Sequence, residues 1–297
     1  MNPLLTIDQL SKTYPNGVQA LQGVSLTIGS GMFGLLGPNG AGKSTLMRTL
    51  ATLQQADAGS AKLGDIDILK EPERLRRVLG YLPQEFGTYP RISALRMLDH
   101  FATLKGVTDR HIRRDLVNHL LQEVNLWEVR NKAVSTYSGG MKQRFGIAQA
   151  LIGDPQLMIV DEPTAGLDPE ERRRFHNLLA TIGEDTVVIL STHIVEDVSD
   201  LCENMAIMGD GRILAQGKPE DVMAALKGRI YSRIIPRQEL PHYEARYQVL
   251  FSTLTGGKTR IHISHDGDPG DGFVATPVSL EDVYFSTLKN YRIDVAA

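Results

Sequence analysis

Nine consecutive residues constrain this chain more than any others: Gly37-Pro38-Asn39-Gly40-Ala41-Gly42-Lys43-Ser44-Thr45. They follow MFGLLG, an apolar run with the texture of a central parallel strand, and precede LMRTLATLQ, which is helical in pattern. Between a strand and a helix, the pattern G-x-x-x-x-G-K-[ST] has a definite physical use. Glycines let the backbone curl so that successive N–H groups converge on an anion, and the helix N-terminus adds partial positive charge. Lys43 is placed to reach terminal phosphates, and the Ser44 hydroxyl offers Mg²⁺ the hard oxygen ligand it prefers. The segment is therefore expected to cradle a nucleotide.

The surrounding pattern sets the fold class. QLMIV, TVVIL and NMAIM read as strands and alternate with helices beginning near Pro169 and Ile194, which implies an α/β sandwich with a mostly parallel sheet. LLTIDQL and VQALQGVSLTI alternate as half-buried strands about a Pro15-Asn16-Gly17 turn, and residues from about 93 to 152, including ALRMLDHFATLKG and DLVNHLLQEVNLW, are helical in pattern. After about residue 220, YSRIIP, YQVLFST and TRIHISH look like strands with a Gly256-Gly257 hairpin turn, HDGDPGDG is a loop, and SLEDVYFSTLKN is a helix capped by Ser279. The expected fold is a P-loop NTPase (RecA-like) core with an antiparallel β subdomain and a helical subdomain, plus a small C-terminal α+β appendage. The expected boundaries are 1–220 for the nucleotide-binding domain, about 91–154 for its helical part, and 221–297 for the accessory domain.

The same strand ends are expected to carry chemistry. LMIV ends in Asp161 and Glu162, which places two carboxylates where open α/β sheets bind ligands. Asp161 is assigned to Mg²⁺, and Glu162 to orienting or deprotonating an attacking water. TVVIL ends in Ser191-Thr192-His193, and His193 is placed to hydrogen-bond a γ-phosphate. The other histidines have no comparable placement. The order of His262, His265, Asp266 and Asp268 fits neither a zinc framework nor a calcium loop.

Composition narrows the function classes. A formal net charge of −3 gives no general attraction to polyanions, so nucleic acid is not an expected partner. The single cysteine, Cys202, excludes an internal disulfide, suits a reducing compartment, and is expected to be a small buried apolar residue. The longest unbroken apolar run, VMAAL, falls far short of the ~18 residues a bilayer span needs, and MNPLLTIDQL lacks the regions of a secretory signal. No internal repeat is present.

With these motifs in this order, the chain resembles the ATP-binding-cassette (ABC) ATPases from about residue 4 to 220. GPNGAGKST matches the Walker A loop and LMIVDEP Walker B; YLPQ supplies Gln84 as the Q-loop glutamine and a further Mg²⁺ ligand. YSGGM matches the family signature, usually LSGGQ, through Ser138, Gly139 and Gly140, with Tyr137 in place of leucine and Met141 in place of glutamine. Ala165-Gly166-Leu167-Asp168 matches the D-loop, His193 the switch histidine, and Tyr14 the aromatic that stacks on adenine.

The resemblance implies an ATPase, converting ATP and water to ADP and phosphate with Mg²⁺. It also implies a head-to-tail dimer in which each nucleotide lies between one subunit's P-loop and its partner's signature. This chain carries the motif set once, so it supplies half of each composite site and needs a twofold partner, in a homodimer or a heterodimer. The family places such subunits on the cytoplasmic face of the membrane, bound to separately encoded permease subunits. The neighbourhood of Glu85 to Pro90, with Phe86 and Tyr89, is where the family receives a short helix of the permease. YSGGMKQR and SLEDVYFSTL resemble the export-type branch, which handles drugs, ions or lipids. The competing expectation is a soluble ABC ATPase acting on nucleic acid or ribosomes. The segment between Gln84 and Tyr137 is too short for the long coiled coil many of those relatives insert.

Overall fold

The computed structural model describes residues 4–84, 87, 90–164, 167–180, 182 and 185–296, the last five by backbone only. Along the chain run β1 (Leu5–Thr13), β2 (Gln19–Ile28), β3 (Gly31–Leu36), α1 (Lys43–Leu50), β4 (Ala58–Leu63), β5 (Ile66–Asp67), α2 (Pro72–Val78) and β6 (Leu79–Leu82). A helical section follows, with α3 (Ala94–Leu104), α4 (Arg110–Glu123) and α5 (Gly139–Ala150). Alternation then resumes with β7 (Leu157–Asp161), α6 (Pro169–Ala180), β8 (Val187–Thr192), α7 (Val195–Leu201), β9 (Asn204–Gly209), β10 (Arg212–Gly217) and α8 (Pro219–Ala224). The chain closes with β11 (Ile230–Ile235), α9 (Leu240–Arg246), β12 (Val249–Thr255), β13 (Lys258–Ser264), β14 (Val274–Ala275) and α10 (Leu280–Ala296).

The central sheet has the order β10-β9-β3-β8-β7-β6, and only β10 runs antiparallel to its neighbour. The strands β7 and β8 are buried throughout because both sheet faces are covered, which is why they read as unbroken apolar runs. Alternate residues feed two cores. Met158 and Val160 join the helical section, while Leu157 and Ile159 join the layer made by α1 and the antiparallel sheet β2-β1-β4-β5. The register matters most for function: Leu36 pairs with Thr192 and Asp161 with Ser191, so β3, β7 and β8 end at one edge.

Several elements differ from their sequence patterns for local reasons. The pattern starts the fourth helix near Asp115, yet α4 begins at Arg110, because the Asp109 carboxylate accepts from the backbone N–H groups of His111 and Ile112 at 2.8 and 3.0 Å. β4, AGSAKL, lacks an apolar signature but pairs along β1 in the middle of the antiparallel layer. β6 is only LGYL; its Gly80 lies so close under α5 that an added Cβ would sit 2.4 Å from the Ala150 carbonyl oxygen.

The C-terminal sheet has the order β12-β13-β11-β14 and its own small core, including Tyr243, Ile261 and Ile263. Both glycines of the β12–β13 hairpin have positive φ, 57° and 77°, as the expected turn requires. Ser279 caps α10 as expected: its hydroxyl accepts from the Asp282 N–H at 3.2 Å, and the Asp282 carboxylate accepts from the Ser279 N–H at 2.8 Å. The same carboxylate takes the His262 ring at 2.9 Å, which accounts for that histidine structurally. From there α10 returns across α7, α8, β9 and β10, and Leu280, Val283 and Tyr284 join the core around Val198 and Met205. Cys202 is 7% exposed, and burial pushes its thiol up to about 12. Native Cys202 is therefore expected to resist a thiol reagent at pH 8 and to react promptly once the chain is unfolded in guanidinium; prompt labelling of the folded protein would contradict its burial.

Candidate nucleotide site

A cleft of about 440 Å³ opens at this sheet edge, lined by Tyr14, Pro38, Asn39, Gly40, Gly42, Lys43, Ser44, Thr45, Gln84 and Glu162. Of the expected cradle, Gly37 and Ala41 lie behind the wall rather than in it. An added Cβ at Gly37 would meet the Met208 carbonyl oxygen at 2.5 Å, and Ala41 is buried. Gly42, at φ 103°, turns the loop into α1, and a Cβ there would come within 2.3 Å of the Ala20 carbonyl oxygen. Backbone strain and lack of space both demand glycine at this position.

Lys43 is buried, and its ammonium donates to the carbonyls of Gly37 at 2.6 Å and Pro38 at 3.3 Å, with Glu162 Oε1 3.6 Å away. Burial lowers its pKa, while the carboxylates of Glu162 and Asp161 push the other way. Glu162 leaves β7 at φ 50°, an uncommon conformation for a non-glycine residue, with its N–H donating to the Ser191 carbonyl at 2.8 Å. That turn brings Glu162 Oε2 within 2.5 Å of His193 Nδ1; the histidine side chain is 49% exposed and does not itself line the cleft. A carboxylate and an imidazole thus lie in hydrogen-bonding contact beside the phosphate cradle.

Asp161 tests whether a divalent cation fits. Burial raises its pKa, opposed by the nearby Ser191 hydroxyl and by Lys43, and its Oδ1 is buried without a hydrogen-bond partner. The Ser191 hydroxyl approaches without making a well-aligned hydrogen bond. An orphaned carboxylate oxygen at the sheet edge where Ser44 and Gln84 also lie is a donor set that suits Mg²⁺. Tyr14 also lines the cleft, its hydroxyl 3.1 Å from both Thr45 Oγ1 and Gln54 Oε1. The tether fixes the ring's edge, and Gln54 is a partner the sequence did not single out.

The remaining expected residues lie elsewhere. Ser138 caps α5, its hydroxyl accepting from the Met141 N–H at 3.2 Å, and Gly139 and Gly140 form the first turn. Asp168 accepts from the N–H groups of Glu170 and Glu171, at 3.0 and 2.8 Å, in the first turn of α6. None of Ser138, Gly139, Gly140 and Asp168 lines the cleft. The two glycines differ: an added Cβ at Gly139 meets open space, whereas one at Gly140 would lie 2.4 Å from the Glu171 carboxylate. A side chain at Gly140 would therefore have to displace the Glu171 carboxylate. Tyr137 is buried and donates its hydroxyl to the Val129 carbonyl at 2.9 Å, while Met141 packs against the core. Ala165, Gly166, Phe86 and Tyr89 lie outside the described residues.

The β3–cradle–α1 unit and the parallel sheet define a P-loop nucleotide-binding fold. Comparison with known proteins narrows the class. The ABC transporter family model matches residues 21–165. The Nod factor export ATP-binding protein I of Burkholderia pseudomallei (strain 1710b) is 32% identical over 301 residues, covering 98% of this chain and 98% of that protein. The probable multidrug ABC transporter ATP-binding protein YbhF of Escherichia coli (strain K12) is 32% identical over 274 residues, 90% of this chain; the chain spans 47% of that protein's length. Among solved structures, the dimeric bacterial ABC transporter cassette MJ0796 matches with a TM-score of 0.66 and 26% identity, covering 72% of this chain and 98% of that one. The same values hold for its post-hydrolysis state bound to ADP and Pi. This chain belongs to the ABC transporter family of ATP-binding proteins.

If Tyr14 stacks on the base, Tyr14→Ala should weaken binding of a fluorescent ATP analogue by about 1–3 kcal/mol, and Tyr14→Phe should bind nearly as the native chain does. Equal titration curves for the alanine variant and the native chain would remove the base from that part of the cleft.

Proposed function

We propose that this chain binds ATP and Mg²⁺, pairs with a second ABC subunit, and hydrolyses ATP to drive a separate membrane permease, for export. One observation carries the proposal. The cleft is lined by the cradle, Gln84 and Glu162, with Asp161 directly before Glu162 and His193 held 2.5 Å from it, while the signature residues of the same chain do not line it. A site built this way is half complete, and a twofold partner offering its own Ser138, Gly139, Gly140 and Asp168 would complete it. The dimeric form of MJ0796 and the export named for the Nod factor relative agree with that reading.

In the proposed reaction the loop amides and Lys43 bind the phosphates. Mg²⁺, held by Ser44, Gln84 and Asp161, would neutralise charge on the β- and γ-phosphates. Glu162 accepts a hydrogen bond from the attacking water and orients it in line; His193 holds Glu162 and donates toward the γ-phosphate. Almost all the catalysis is positioning and electrostatics, as phosphoryl transfer generally requires. Because the partner's contacts to the γ-phosphate exist only in the closed dimer, their loss on hydrolysis favours opening. Glu162→Gln keeps the shape but not the charge, and should give an ATP-dependent dimer on size exclusion with no phosphate release. Hydrolysis at the native rate would sink the assignment.

A groove beside β6 supports permease docking. It has a volume of about 380 Å³ and is lined by Ala51, Leu53, Leu79, Tyr81, Phe101 and Leu104 among others. Leu53 and Leu104 are 61% and 70% exposed, an unusual outlay of large apolar side chains on one concave surface. Tyr81 precedes Gln84 by three residues, so an occupant of the groove would bear on the strand that leads to the cleft. A short amphipathic helix of the permease would fit its apolar face there. Leu104→Glu should abolish co-purification with the membrane subunit and leave nucleotide binding by the isolated chain unchanged; retained co-purification would move the interface elsewhere.

A further inference from the structure

Asp197 sits on α7 one helical turn beyond His193, with no exposed surface at all. A buried carboxylate is costly unless its lone pairs are met, and here four donors from three separate segments meet them. The two oxygens divide the work. Oδ2 accepts from the Thr164 hydroxyl at 2.5 Å and lies 3.4 Å from the Thr192 hydroxyl. Oδ1 accepts from Arg172 Nε and faces His176 Nε2, both at 2.8 Å.

Those partners have telling neighbours. Thr164 follows Glu162 by two residues, across Pro163, which has no donor to offer. Thr192 immediately precedes His193, and its hydroxyl also accepts from the Ile194 N–H at 3.0 Å, fixing the turn after the histidine. Arg172 donates its own N–H to the Asp168 carbonyl at 2.9 Å, and His176 lies one turn further along α6. One oxygen therefore holds the two loops that present Glu162 and His193. The other holds the helix whose first turn is organised by Asp168. None of the four donors lines the nucleotide cleft.

We infer that Asp197 is a positioning residue for hydrolysis, tying the Glu162–His193 pair to α6 so that the water-orienting groups and Asp168 keep a fixed spacing. The inference rests on the hydrolytic role proposed for Glu162 and His193. The left-handed turn at Glu162 needs such a tether, since a strained conformation persists only where its surroundings over-determine it. The 2.5 Å contact between Glu162 and His193 likewise depends on two separate strand ends staying in register.

The test uses the full chain and three variants: Asp197→Asn, which keeps the shape but replaces one acceptor oxygen by a donor; Thr164→Val, which removes one hydroxyl; and Thr164→Ser, which keeps it. Asp197→Asn and Thr164→Val are expected to lower kcat for ATP hydrolysis by about tenfold or more, since small misplacements of catalytic groups have effects of that size. Nucleotide affinity from equilibrium titration should change by less than about twofold, and Thr164→Ser should restore kcat. An unchanged kcat in Asp197→Asn overturns the inference; so does a serine variant as slow as the valine one, or affinity falling in step with kcat. Hydrogen exchange at the Glu162 and Ile194 amides should quicken in Thr164→Val. Unchanged exchange there overturns the tether even if the native chain proves unable to hydrolyse ATP, an outcome that would separately defeat the proposed function.

Discussion

The whole site hangs on a register. Parallel pairing of β3 with β8, and of β8 with β7, brings Leu36 level with Thr192 and Asp161 level with Ser191. Slide one strand by a single residue and every side chain on it changes face, so the two buried cores fix the pairing firmly. Once the three strands end together, the phosphate loop, the metal-type carboxylate and the histidine have nowhere else to converge. The chemistry is thus a by-product of how apolar residues on both sides of one sheet are packed.

What sequence could show, and what it could not, follows the same division between local and distant. The cradle was legible because all its requirements are contiguous: a buried strand, glycines where the backbone must turn, a lysine and a hydroxyl at the start of a helix. Asp161, Glu162 and His193 were legible because apolar strands point at them. Ser279 was legible as a cap because it directly precedes a helical run, and the structure adds its reciprocal bonds with Asp282. Asp197 gave no such sign: its four partners come from three places in the chain, and a carboxylate in a short polar helix reads as a solvated face until the structure buries it. β6 and β4 escaped for a different reason, being too short or too small in side chain to show a period.

Gly140 shows how one residue can satisfy two demands. Sequence pattern ascribes its bareness to close approach by a phosphate from another subunit. The structure adds a nearer neighbour: the Glu171 carboxylate occupies the space where a side chain would go and would have to swing aside for it, and Arg144 of α5 stands 3.4 Å from that same carboxylate. The signature helix and α6 are therefore seated against each other within one chain. Gly139, with open space around it, carries no such internal duty.

The last helix has an unexpected allegiance. Although α10 is reached through the C-terminal sheet and is pinned to it by His262 and Asp282, its apolar residues belong to the core of the nucleotide-binding part. The final stretch of the chain thus serves as a wall for the first. In synthesis α7 is made before α10, so its flank stays bare until the later helix has been made. A nascent chain would expose Val198 and its neighbours over the interval between the two helices, and this core closes only when α10 comes home.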